Sequence, residues 1–240
     1  MKNLIGKVIK ILFVTVYCLV PMTCAYANDQ FHIGYSTRVI VHSDEKKVSF
    51  PVKNGSKQKM VFHAQVLKKN KFEFSNDFIV SPELTRFEPG EEKWLQIINL
   101  GQKVPVDRES LFYLKGHFLP ASTINSDDKA SVNFSYAIQM KLFYRPAKFR
   151  AEIDAIDDNL DKLKFKLEDG YLVANNESPF FMTFNRLISD GEEINIPSES
   201  VTIEPFGIVK IGIANKNIKN ITWTLINDGG YSTKPITTKL

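Results

Sequence analysis

Cysteine is nearly missing from this 240-residue chain: its two copies, Cys18 and Cys24, both fall within the first 27 residues. The remainder can form no disulfide and offers no thiolate, so its stability has to come from buried apolar area. Histidine is sparse too. His32, His42, His63 and His117 are scattered, with no metal-ligand spacing among them. No Gly-x-Ser-x-Gly elbow and no phosphate-binding glycine loop occurs. Acid pairs such as Glu91-Glu92, Asp127-Asp128 and Asp157-Asp158 stand in turn-like surroundings and read as solvated. No enzyme, cofactor or metal site is expected.

Beyond the N-terminus there is no long apolar run. Lys2, Lys7 and Lys10 precede a short apolar stretch, Ile11 to Val20, and Ala25-Tyr26-Ala27 closes it with the small-x-small pattern of a signal-peptidase site. The reading is a signal peptide cleaved after Ala27, because the stretch is shorter than the roughly 20 residues a membrane span needs. Cleavage leaves 213 residues (240 less 27) and removes three lysines, so Lys+Arg falls from 31 to 28 against 27 Asp+Glu. An almost neutral exported chain is no general polyanion binder. The local cluster Lys57, Lys59, Lys68, Lys69 and Lys71 is read as a solvated loop or strand edge.

What is abundant is alternation. Val132, Phe134, Tyr136, Ile138 and Met140 fall on one face of a single extended strand, with Lys141 on the opposite parity. Short runs rich in β-branched and aromatic residues precede it: Val39–Val41, Val48–Val52, Val61–Leu67, Trp94–Ile98 and Leu111–Leu119. Turn chemistry separates them, as at Asn54-Gly55-Ser56 and Glu88-Pro89-Gly90. After Pro146 the pattern restarts, with runs at 162–167, 170–174, 180–187, 201–203, 208–213 and 223–226. The expectation is an all-β protein of two sandwich domains, 28–146 and 147–240. No strict internal repeat is evident, and the glycosylation tripeptides at Asn54, Asn133, Asn176 and Asn220 read as chance matches.

Six segments in register then carry a resemblance. They are Thr37-Arg38-Val39-Ile40; Phe78 to Pro82 with Arg86 to Gly90; Asp107 to Tyr113; Lys141 to Pro146; Asn176 to Phe181; and Trp223 to Asp228. Together they resemble the periplasmic PapD-like chaperones of chaperone–usher pilus assembly. That resemblance implies two immunoglobulin-like domains in a boomerang arrangement, with pilus or fimbrial subunits bound along the inter-domain cleft and delivered to an outer-membrane usher. Complexes in which a chaperone completes a pilin by donating a strand are a known mode of strand addition.

Carried onto this chain, the resemblance assigns the subunit's terminal carboxylate to Arg38 and Lys141. It assigns donor residues to Val132, Phe134, Tyr136 and Ile138, and an inter-domain ion cluster to Glu109, Arg145 and Asp228. The short stretch Pro120 to Ser131 before the donor strand, with no cysteine near it, suggests the short-loop subclass. Aromatic Phe134 and Tyr136 stand where smaller aliphatics are commoner in the family. An exposed apolar strand also leaves self-association of the unloaded protein open. The alternative to a chaperone is a secreted two-domain adhesin or carbohydrate-binding module, which would not depend on Lys141.

Overall fold

A computed structural model describes residues 31–34, 36–71, 73–101, 104–121, 134–196, 201–213 and 218–240. The expected signal peptide and Val132 lie outside the described residues, as does most of the short stretch before the donor strand.

The first nine strands are β1 (His32–Ile33), β2 (Arg38–His42), β3 (Lys47–Lys53), β4 (Met60–Lys68), β5 (Phe78–Ser81), β6 (Leu84–Phe87), β7 (Glu92–Asn99), β8 (Ser110–Pro120) and β9 (Tyr136–Arg145). They form two facing sheets, ordered β1-β3-β7-β5 and β2-β9-β8-β4-β6. Inward alternate residues such as Val41, Phe50, Phe62, Leu95, Ile97, Leu114, Phe118 and Leu142 fill the space between them. The expected long strand is shorter than its alternation suggests: it begins at Tyr136, and Phe134 precedes it without ladder bonds.

All pairings in this unit are antiparallel except β2 with β9. The chain enters through β1 on one sheet, turns at Gly34 (φ 68°), and continues as β2 on the other. A positive φ is where glycine has the advantage. The switch has a consequence for β9: β2 covers only Lys141 to Arg145. Along Tyr136 to Met140, β9 pairs with β8 on one side, and among the described residues its other edge is open.

The second unit follows two short 3-10 turns, Ala147–Phe149 and Asp157–Lys162. Its strands are β10 (Leu163–Glu168), β11 (Tyr171–Asn176), β12 (Met182–Ser189), β13 (Glu192–Glu193), β14 (Thr202–Ile203), β15 (Ile208–Gly212), β16 (Asn220–Leu225) and β17 (Ile236–Lys239). They form β10-β11-β15 opposite β13-β12-β16-β17, with β14 on β12. Leu172, Met182, Ile203, Ile211, Trp223 and Leu225 form its core. A smaller apolar cluster joins the two units: Leu67, Leu111, Tyr113 and Phe143 of the first surround Phe181 of the second.

One local arrangement occurs in both units. Asn54 is fully buried; its amide donates to the Gln58 and Glu88 carbonyls, and its oxygen accepts from the Ser56 N–H and hydroxyl. Asn176 repeats this arrangement with Phe180, Glu204 and Ser178. Each buried amide pins the turn after one strand to a distant Glu-Pro segment, a fully satisfied use of a buried polar group. Two of the glycosylation tripeptides are therefore interior structural motifs.

Candidate functional site

Lys141 stands directly beside Arg38 in the parallel β2–β9 register and beside Tyr113 in the antiparallel β8–β9 register. Residues abreast on neighbouring strands share a face, so Tyr113, Lys141 and Arg38 form one row across the sheet. Arg38 is only 6% exposed, its guanidinium lies 5.3 Å from the centroid of Phe143, and its Nε–H has no acceptor. Burial pulls its pKa down, against the distant charges of Asp228, Glu109 and Asp154.

The Lys141 ammonium reaches the second unit. It donates to the hydroxyls of Thr183, at 3.3 Å, and of Thr202, which are cross-strand neighbours on β12 and β14. Burial, then the charges of Arg38 and Lys71, push it down to about 8. Among the described residues, neither Arg38 nor Lys141 forms an ion pair. Two adjacent desolvated cations without a counter-charge are costly unless something anionic arrives.

Two steps further along the same face of β9, beyond Phe143, the situation reverses. Arg145 Nε donates to Glu109 Oε1 at 2.7 Å, while Nη1 and Nη2 grip both Asp228 oxygens at 2.7 Å each. The side chains of Arg145 and Glu109 are 3% and 1% exposed. Glu109 Oε2 also accepts the Phe181 N–H at 2.8 Å, so a residue of the first unit is bonded into the second. Burial works against the Asp228 carboxylate, but the Arg145 hydrogen bonds and charge outweigh it and hold its pKa low. Burial raises that of Glu109 against the pull of Arg145; since Glu109 faces only donors, the ionised form is the one the site accepts.

Asp154 belongs to this cluster although its sequence surroundings read as a solvated turn. It is buried, takes the Asp228 N–H at 2.8 Å, and caps the Ile156 and Asp157 N–H groups. Gly230, just beyond, has φ 84°, and a Cβ there would lie 2.6 Å from Ser36 Oγ and 2.9 Å from the Thr37 N. The cluster thus braces the residues leading into Arg38.

Of the remaining expected residues, Tyr136 and Ile138 stand on the open half of β9 and Phe134 just before it, while Val132 lies outside the described residues. Phe134 is 66% exposed and Tyr136 45% exposed, whereas Ile138 packs partly against the core. The Tyr136 ring lies 4.2 Å from that of Phe31, which itself stacks on Phe118 at 4.5 Å. Met140 and Leu142, on the same parity, are core.

Residues 33–150 match the family described as the pili and flagellar-assembly chaperone, PapD N-terminal domain, and residues 158–237 match the PapD C-terminal domain of pili assembly chaperones. The chain is a PapD-like chaperone. Among its relatives, chaperone protein CssC of Escherichia coli is 28% identical over 222 residues, covering 90% of this chain and 93% of CssC. The probable fimbrial chaperone SfmC of Escherichia coli K12 is 30% identical over 185 residues, 75% of this chain and 76% of its own. Among solved structures, the Escherichia coli chaperone DraB superposes with a TM-score of 0.76 at 25% identity, covering 88% of this chain and 98% of DraB.

Within this PapD-like frame the structure brings Arg38 next to Lys141, and Glu109 and Asp228 onto Arg145. Sequence reading overlooked Thr183, Thr202, Asp154 and Gly230. The first two are ordinary strand threonines until the fold delivers Lys141 to them. The glycine pair Gly229-Gly230 after Asp228 has the composition of a tight turn and carries no further local signal.

Proposed function

We propose that this protein binds and stabilises fimbrial subunits in the periplasm by lending them the open half of β9, and passes them to an outer-membrane usher. The chain is divided for this purpose into a donor unit, 28–146, and a buttressing unit, 147–240, with the leader removed after Ala27. A subunit lacking one strand exposes an apolar groove and unpaired edges that would otherwise aggregate. Val132, Phe134 and Tyr136 are the side chains assigned to that groove, and Ile138, which packs partly against the first core, ends the row. Each large apolar side chain so buried is worth about 1.5–3 kcal/mol gross, much of it offset by association and ordering costs.

The observation that carries the reading is the unpaired cation pair at the end of the open edge. A strand added along Tyr136 to Met140 is collinear with β2 and has to stop where β2 begins, at Arg38 and Lys141. Run parallel to β9, it brings its C-terminal carboxylate to the two cations. Run antiparallel, it brings its N-terminal ammonium to them, a repulsion of about 4 kcal/mol per charge at 4 Å with an effective dielectric of 20. Charge therefore selects the parallel direction, and the carboxylate fixes register, since a slip of one residue would turn every side chain the wrong way.

Co-expression in the periplasm with candidate fimbrial subunits, comparing the native chain with Lys141→Ala, tests this. A one-to-one complex recovered only with the native chain is the expected result. Equal recovery with both chains would refute the anchor.

A further inference from the structure

Three lysines follow one another where β4 runs out, and the sequence alone gives them no distinct parts. The structure separates them. Lys68 pairs with Glu73 at 2.9 Å and Lys69 pairs with Glu204 of the second unit. Lys71 forms no ion pair among the described residues. Its backbone is held at φ 64°, with its N–H bonded to the Lys68 carbonyl at 2.9 Å. A left-handed conformation is unusual for a long side chain, and such outliers concentrate where the surroundings impose them. The turn lays the Lys71 stem over the Tyr113 ring, with the ammonium 4.9 Å from the ring centroid.

Tyr113 is the residue directly beside Lys141. Arg38 and Tyr113 thus flank Lys141 on neighbouring strands about 4.8 Å away, and the Lys71 ammonium lies over the Tyr113 ring, so the three cations fall along one side of the cleft. The charge of Lys71 is felt at Lys141, where it adds to the depression of that ammonium. The buried Nε–H of Arg38 is still without an acceptor. A subunit's terminal carboxylate brings one negative charge to a group of three positive ones, and Glu204 of the facing unit is already taken by Lys69.

We propose that Lys71 is a specificity-determining residue of the cleft, selecting subunits that carry a second carboxylate, an Asp or Glu within their last three residues. The proposal rests on the carboxylate-anchor reading and refines it. Lys71 is exposed, so its contribution is that of a surface pair: a preference of about threefold that salt weakens. It also draws acidic C-terminal segments toward the anchor during encounter.

The test uses the mature chain and synthetic 15-residue peptides of alternating Val and Thr, binding being followed by calorimetry in low and high salt. The set comprises a peptide with a free carboxylate and Gln throughout its last three positions, counterparts with Glu at each of those positions, and C-terminally amidated versions. The native chain is expected to favour a Glu peptide about threefold in low salt. Lys71→Met, which keeps the apolar stem over Tyr113, is expected to lose that preference and keep its discrimination against amidated peptides. Lys71→Glu is expected to disfavour the Glu peptides. If amidation has no effect, or no peptide binds at millimolar concentration, the anchor itself is overturned and Lys71 with it. If amidation weakens binding while Glu and Gln peptides bind alike, or if Lys71→Met retains the preference, only the role of Lys71 is overturned.

Discussion

Replacing Lys141 by methionine should make the unloaded chaperone more stable while abolishing subunit capture. The ammonium sits beside Arg38 without a counter-ion, and burial, Arg38 and Lys71 push its pKa from 10.5 to about 8. At about 1.36 kcal/mol for each pH unit this disfavours the buried charge by roughly 3 kcal/mol, which partial solvent access reduces to about 1–2 kcal/mol. Methionine keeps a stem of similar length and gives up only the hydrogen bonds to Thr183 and Thr202, whose hydroxyls retain each other at 3.2 Å. The net gain is about 1 kcal/mol, or a rise in melting temperature of about 2–4 °C for a chain of this length.

The sign with pH follows from linkage. A lysine whose folded pKa is depressed burdens the folded state below that pKa, and the burden lifts as pH rises through the interval where only the unfolded chain still holds the proton. For Lys141 that interval runs from about 8 up to 10.5. The stability gap between variant and native chain should thus be largest near pH 6.5 and shrink by about pH 9.5, as read by calorimetric melts at both values. A methionine variant less stable than the native chain at the lower pH would refute the reasoning. So would a gap that does not change with pH.

Two further substitutions probe the joint behind the anchor. Asp228→Ala leaves the buried Arg145 with Glu109 alone, and should cost about 3 kcal/mol in urea unfolding, with little relief from salt; a cost below about 1 kcal/mol would show that Glu109 suffices. Gly230→Ala adds a Cβ 2.6 Å from Ser36 Oγ at a left-handed φ, and should lower stability by about 2 kcal/mol and weaken subunit capture by shifting Arg38. Gly229→Ala meets only the Tyr231 ring and Asn227 side chain and serves as the milder comparison, so equal losses for both would refute a specific role for Gly230.

The central strands were legible because each buries one face, which forces apolar residues to alternate between turn residues. The misses lie where that pressure relaxes. The final strand, Ile236–Lys239, is an edge of threonine and lysine with little to bury, and no apolar run announced it. Phe134 keeps the alternation of β9 although β9 proper starts at Tyr136 and the side chain is exposed: an apolar residue outside the core looks the same in sequence as one inside it. Asp154 was hidden by its acidic surroundings, since the backbone N–H groups that receive its carboxylate are set by a fold no local pattern reports. Lys71 was hidden among lysines for the same reason. Its distinction is a backbone turn and a tyrosine on another strand.

From Met140 to Arg145 both faces of β9 are committed, one to the first core and the other to the second unit. Ile138, Met140, Leu142 and Tyr144 face the first core, so the strand cannot slip without exposing them. Lys141, Phe143 and Arg145 alternate with them and face the second unit in three different chemistries. Arg145 is saturated by two carboxylates, Phe143 packs on Phe181 with centroids 5.5 Å apart, and Lys141 rests on two neutral hydroxyls. Had a carboxylate stood at Thr183 or Thr202, Lys141 would be neutralised internally. Hydroxyls position the ammonium without cancelling its charge. The second unit therefore serves the site twice, locking the strand at Arg145 and aiming an unspent cation at Lys141.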